Sequence, residues 1–383
     1  MLVFYDFDLF SSKMNQLTSD AEYLIALRHV PNIGNAAARS LVAYCGSAQD
    51  VFKKPGPQLL KIPGIGPKMV QSIKGFKQLD LIRKELDFIQ KNQIDFIPYY
   101  SNRYPKRLID LLDAPLYLFY SGNADLNPSR SIAIIGTRKP TNYGKDLIRT
   151  LLKDLAKYKC TIISGLAYGI DTLAHKYALE NGLPTLAVMG NGLKRIYPSQ
   201  NRKLATEIQA NGALLTEFVS DTGPDRENFP QRNRIVAGMT DATVIVETGV
   251  EGGSMITAEI AYSYQRDVMA FPGDINRDES KGCNKLVKMQ KAVLIEKAED
   301  IAWNLGWDIQ NAESSKRASS RTLENLNEKE RSIMQLLDDN QRIHIDKIRQ
   351  AFHENSAELA GELLNLELKG LIKPLPGSYY QKY

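Results

Sequence analysis

The chain has 383 residues but only three cysteines, four histidines and two tryptophans. Cys45, Cys160 and Cys283 are odd in number and far apart, with no CxxC pair, so neither a disulfide framework nor a structural zinc site has anything to build on. No stretch nears 18 consecutive apolar residues, and the opening run 2–10 contains Asp6 and Asp8 with no basic leader. Neither a membrane span nor a signal peptide is therefore expected, and the expected compartment is the cytoplasm. A large excess of one charge is missing as well: 49 Lys and Arg against 44 Asp and Glu leave +5, too mild to imply a polyanionic partner by itself. What is present, 43% hydrophobic and 24% charged residues, is the profile of a folded globular protein, and the length predicts two to four domains.

The position of the charge says more than its sum. Between Lys53 and Arg107 there are twelve Lys and Arg against four Asp and Glu, a local net of +8, distributed as a nucleic-acid footprint would be. The same region contains a near-repeat offset by 32 residues: 30–34 (VPNIG) followed by 35–41 (NAAARSL), and 62–66 (IPGIG) followed by 67–73 (PKMVQSI). Each copy reads as helix, tight hairpin and second helix, a tandem helix-hairpin-helix, SAM-like domain. Gly64 and Gly66 supply the permissive backbone, and Pro67 sits in a helix's first turn. The free N–H groups at the start of the second helix, with Lys68 beside them, are candidate phosphate contacts. Plain packing or protein docking is the alternative, and the first copy has Asn32 where the second has Gly64.

From about residue 131 short apolar runs (132–135, 161–163, 185–189, 213–215, 242–246, 268–271 and 293–295) alternate with amphipathic helical stretches. That alternation predicts βαβ units and an α/β fold, a Rossmann-like doubly wound parallel sheet. In such a sheet the ligand lies beyond the carboxyl ends of the strands. The first strand ends in Gly136-Thr137-Arg138, which is not G-x-G-x-x-G, and the second in Ser164-Gly165 with no acidic residue to hold a ribose. A nicotinamide enzyme is therefore disfavoured, and the spacing fails as a P-loop as well; no cofactor is expected. What the strand ends carry is small, polar and basic: Gly136, Thr137 and Arg138, Ser164 and Gly165, Gly190, Asn191 and Gly192, then Gly253 and Ser254. Several precede helices, so their N–H groups are candidate anion contacts. Lys194 extends the rim.

The segment 227–234 (ENFPQRNR) adds Phe229, Arg232, Asn233 and Arg234 at a helix start. An aromatic platform with two arginines suits a single nucleic-acid strand, whereas one arginine held in a buried pair with Glu217 or Glu247 is the structural alternative. Tyr197 reads as packing. Asp171 and His175, four apart on one helix, lack the second ligand a metal needs, so Asp171 is read as orienting the helix start and His175 as packing under the sheet edge. No catalytic set and no metal site stand out.

The polar, Ser-rich stretch 310–325 predicts a linker. Beyond it, three short helical patterns and a small hairpin within 326–383 outline a winged helix. Its third helix carries Glu358, Glu362 and Glu367, which favours protein docking or weak DNA binding over base reading. The expected domains are 1–110 (helical), 111–309 (Rossmann-like), 310–325 (linker) and 326–383 (winged helix).

Taken in order, 134–140 (IIGTRKP), 164–175 (SGLAYGIDTLAH), 190–193 (GNGL), 196–198 (IYP), 215–217 (LTE), 229–238 (FPQRNRIVAG), 253–258 (GSMITA) and Pro272-Gly273 resemble the DNA-processing protein A (DprA/Smf) family across about 131–295. The family often has both flanking domains. The resemblance implies a single-stranded DNA-binding protein, acting as a dimer, that protects incoming DNA during natural transformation and loads the RecA recombinase. It also points to Arg138 as the arginine of the family's Gly-Ser-Arg, with Thr137 keeping the hydroxyl. The alternative is an enzyme on the same fold, a phosphoribohydrolase-like protein with P-G-G-x-G-T-x-x-E. Here 251–259 (EGGSMITAE) lacks the Pro and the Gly-Thr pair, which disfavours catalysis by Glu259. A nuclease would need the metal cluster that is missing.

Overall fold

The computed structural model describes residues 20–307, 326–338, 343–352, 356–369, 371–375 and 379–382. The segments 1–19 and 308–325, and with them the expected linker and the opening apolar run, lie outside the described residues. Contacts divide the chain into two units, Met1–Trp307 and Asp308–Tyr383.

In the first unit nine strands form one sheet: β1 (Asp95–Pro98), β2 (Tyr117–Gly122), β3 (Ser131–Ile135), β4 (Thr161–Ser164), β5 (Thr185–Val188), β6 (Gly212–Thr216), β7 (Ala242–Ile245), β8 (Asp267–Ala270) and β9 (Val293–Leu294), in the order 1-2-6-5-4-3-7-8-9. The seven apolar runs are its seven parallel strands, β3 to β9. Their continuous hydrophobicity follows from burial on both faces: Ile132 and Ile134 enter one core, Ala133 and Ile135 the other. From β3 the chain winds outward through β4, β5 and β6, then returns beside β3 as β7 and continues to β8 and β9. The order reverses between β3 and β7, which is where a crevice opens at the strand ends.

β1 and β2 are antiparallel additions at the β6 edge, and they lie on either side of the division expected at residue 110. Alternation along β2 explains why no separate body begins there. Leu118 and Tyr120 face the sheet core, while Tyr117 and Phe119 face the core of the N-terminal helices with Leu24 and Ile89. One strand is shared between two hydrophobic clusters.

The 32-residue repeat is present in the backbone. Asn32 and Gly64 occupy equivalent left-handed positions, φ 67° and 79°. Gly34 and Gly66 then lead into the helices Asn35–Cys45 and Pro67–Gly75 with nearly the same φ and ψ, −85°, 173° and −98°, 170°. Asn tolerates the left-handed region better than other side-chain-bearing residues, which is why the first copy works without its glycine.

The second unit has helices Glu328–Asp338, Ile345–Phe352 and Ser356–Leu368 and a three-stranded antiparallel sheet of Ile343–His344, Tyr379–Lys382 and Ile372–Leu375. Ile333, Leu337, Ile348, Leu363 and Ile372 share its core. Buried Glu330 is held by Lys369, with Nζ 2.5 Å from one carboxylate oxygen. This is the winged-helix outline.

Candidate nucleic-acid interface

A cleft of about 540 Å³ opens at the β3/β7 switch point. Gly136, Thr137 and Arg138 line it from the end of β3, Gly165 from the end of β4, Phe229, Arg232 and Asn233 from the helix Asn228–Gly238, and Gly253 and Ser254 from the start of the helix Gly253–Ser263. The topology thus gathers residues spread over more than a hundred positions into one concavity.

Phe229 is its centre. The guanidinium carbons of Arg138 and Arg232 lie 5.8 and 5.9 Å from its ring centroid, within cation–π range, and the Tyr197 ring is 6.1 Å away. Tyr197, expected as packing, is 43% exposed and continues the aromatic surface. Arg138 is exposed.

The two arginines of the helix take other roles. Arg232 is 4% exposed, and its Nη1 donates to the carbonyls of Gly165 and Val188, so it forms the floor of the cleft and ties the ends of β4 and β5 together. A Cβ on Gly165 would stand 2.6 Å from that guanidinium, which is why the position is glycine. Asp171 is the nearby countercharge, and its Oδ2 accepts from the Gly165 and Ala167 N–H groups at 3.1 and 3.4 Å. Burial pushes the Asp171 carboxyl up and the Arg232 guanidinium down, each opposed by the other's charge. Arg234 does not reach the cleft: it is 9% exposed and pairs with buried Glu217 at 2.5 Å. Helical geometry separates the two, since positions 229, 232 and 233 share a face whereas 234 lies round the helix with Gln231 and Gly238. That spacing was a usable sequence signal for removing Arg234 from the phosphate set.

Three further candidates are buried and do not line the cleft. Ser164 is fully buried and its hydroxyl donates to the Ile134 carbonyl. Asn191 is 1% exposed and closes its own turn by donating to the carbonyls of Gly192 and Arg195. Gly192 is buried against the Val219 and Ser220 carbonyls and its N–H donates to Thr222 O. Each of these donors is thus committed within the protein. Gly190 packs under Phe229, where a Cβ would be 3.0 Å from the ring. The Thr137 N–H is likewise used, donating to the Glu247 carbonyl, and the Ser254 hydroxyl donates to Thr248 Oγ1. Lys194 is exposed and paired with Asp221. Arg226, Glu251 and Ile256 also line the cleft; none was among the expected contacts, and Arg226 lies outside every quoted motif.

His175 is fully buried and its Nδ1 is 2.7 Å from Thr185 Oγ1. Thr185 donates its own proton to Ile162 O, so Nδ1 carries the imidazole hydrogen and Nε2 is left without a partner. Burial, with the Arg232 charge, pulls its pKa down to about 3. A depressed folded pKa means that stability is complete above the unfolded value of 6.5 and is lost as the pH falls from there toward 3, at about 1.4 kcal/mol per pH unit. Urea unfolding at pH 7.5 and 5.0 is therefore expected to show a loss of about 2 kcal/mol that is missing in His175→Asn; equal slopes in both proteins would contradict a neutral buried imidazole.

The glutamate of the enzyme alternative is not in this cleft. Glu259 lies on the outer face of its helix and pairs with Lys291 at 2.6 Å. Of the two hairpins, the first is docked on protein: Asn35 Nδ2 donates to Asp113 O, and Arg39 Nη1 to the carbonyls of Ile109 and Leu111. The second leaves Gly64 and Lys68 exposed.

Comparison with known proteins agrees with this architecture. The family model described as DNA recombination-mediator protein A matches residues 95–306, and the DprA winged helix domain matches 317–378. Protein Smf of Escherichia coli is 32% identical over 84% of this chain and 86% of its own. The X-ray structure of DprA from Streptococcus pneumoniae superposes with a TM-score of 0.64 at 30% identity, covering 73% of this chain and 96% of that one. DNA processing protein A of Helicobacter pylori, solved for its single-stranded DNA binding mode, superposes at 0.51 with 34% identity over 56% of this chain and 95% of its own. With over half of its length matched by one family model and the winged helix by another, the chain belongs to the DNA-processing protein A (DprA/Smf) family of DNA recombination mediators.

Proposed function

We propose that this protein binds single-stranded DNA at the β3/β7 cleft, protects incoming strands and passes them to a RecA-type recombinase, acting as a dimer in the cytoplasm. The observation that carries this is Phe229, flanked by two guanidinium groups on the floor and rim of the cleft. An aromatic face accepts any base and a neighbouring arginine takes a phosphate, which gives affinity without sequence preference. Arg138, Phe229, Asn233 and the N-terminal turn at Gly253 are the proposed contacts, with Tyr197, Lys194 and Arg226 extending the path. Gly64, Gly66 and Lys68 of the second hairpin are an accessory phosphate site. The protein acts by binding, a reading supported by the pairing of Glu259 away from the cleft and the use of Asp171 as a backbone clamp.

Purified protein is expected to bind oligo-dT without nucleotide or metal and more tightly than duplex. Its log K should fall linearly with log salt, with a slope of about −0.7 for each phosphate neutralised. A flat salt titration, or equal affinity for duplex, would remove the proposal.

A further inference from the structure

We propose that Glu85, on the N-terminal helix Leu79–Lys91, is a positioning residue for the strand-binding cleft, acting through Ser220 on the turn at 190–194. Glu85 is 7% exposed, and its carboxylate is hydrogen-bonded by Ser220 of the sheet region. Ser220 N donates to both oxygens at 2.9 and 3.0 Å, and Ser220 Oγ to Oε2 at 2.5 Å. A buried carboxylate is costly unless fully hydrogen-bonded, and this one spends its bonds on holding a loop of another element.

That loop, residues 217–222, is clasped from its other side by the glycine turn. Gly192 N donates to Thr222 O, the Gly192 α-carbon rests on the carbonyls of Val219 and Ser220, and Lys194 pairs with Asp221. Leu193 and Val219 both pack on the core of the N-terminal helices. Gly190, at the head of the same turn, carries the Phe229 ring. A chain of contacts therefore runs from Glu85 through Ser220 and Gly192 to the aromatic platform, and the helical region sets the shape of the cleft without lining it. The inference rests on the cleft being the single-strand site.

The sign of the effect separates positioning from charge. Removing an anion near a polyanion's site should tighten binding if only electrostatics matter. Positioning requires the reverse: full-length Glu85→Ala is expected to bind oligo-dT about tenfold more weakly, because a site whose support is lost is too loose. The salt slope should be unchanged, since no phosphate contact is removed. Glu85→Gln, which keeps one acceptor for the Ser220 N–H, should fall between and provides the test if the alanine variant folds poorly. Arg107→Ala, which breaks the pair with Asp241 before β7, at the opposite end of the strands from the cleft, controls for destabilisation alone and should leave affinity unchanged. Affinity equal to or above wild type in both Glu85 variants overturns the proposal. Hydrogen exchange in DNA-free protein tests it independently of the ligand: residues 190–194 and 217–222 should exchange faster in Glu85→Ala, and unchanged protection there overturns it even if the wild type binds no DNA.

Discussion

Arg234→Ala is expected to cost about 3–5 kcal/mol of stability, because it removes the guanidinium paired with the buried Glu217 carboxylate. For a unit of this size that corresponds to a fall in Tm on the order of 10 °C. The companion double variant, Arg234→Met with Glu217→Leu, should recover most of the loss, since a buried pair replaced by packed apolar groups is often neutral. Measured below its transition, Arg234→Ala should bind oligo-dT with the wild-type salt slope, because the guanidinium does not line the cleft. Thermal unfolding and a salt titration check both halves. An unchanged Tm, or a slope reduced by one contact, would return Arg234 to the binding surface.

Arg138→Ala is the opposite case, with a large effect on binding and a small one on stability. Its side chain is exposed, lines the cleft and stands over the Phe229 ring, and it forms no ion pair with a described carboxylate. Loss of a charged hydrogen bond to phosphate costs about 1.5–3 kcal/mol, so affinity for oligo-dT should drop about ten- to a hundredfold, with a shallower salt dependence. Removing an exposed side chain should shift stability by no more than about 0.5 kcal/mol. Arg138→Lys should rescue only part of the affinity, because a point charge replaces a planar fork. An unchanged dissociation constant would take Arg138 out of the site.

These two arginines, one singled out at a strand end and the other beside an aromatic at a helix start, diverge for a reason that composition does not contain. Arg138 follows a strand end and projects into solvent, whereas Arg234 lies on the face of its helix that meets Glu217. Arg232, two residues away from it, has a third role on the cleft floor. Ser164 and Asn191 sit at the correct strand ends but point into the protein. Position along the chain identified the crevice; side-chain direction divided its residues into those that face a ligand and those that hold the frame.

The alternation of apolar runs with helical segments determined the parallel sheet and the edge on which a site would form, because βαβ connection and burial of both sheet faces allow few other arrangements. The 32-residue repeat likewise determined its two hairpins, while the left-handed backbone at Asn32, which lets the first copy work without a glycine, is seen only in the folded chain. Only the tertiary structure decided that β1 and β2 join the sheet antiparallel, that Tyr117 and Phe119 bind the helical region to it, and that Glu85 reaches Ser220 135 positions away. Local pattern records which face of an element is apolar. Which distant element covers that face, and which charge answers which, is settled only when the chain is packed, because those pairings depend on distances in space that sequence separation does not encode.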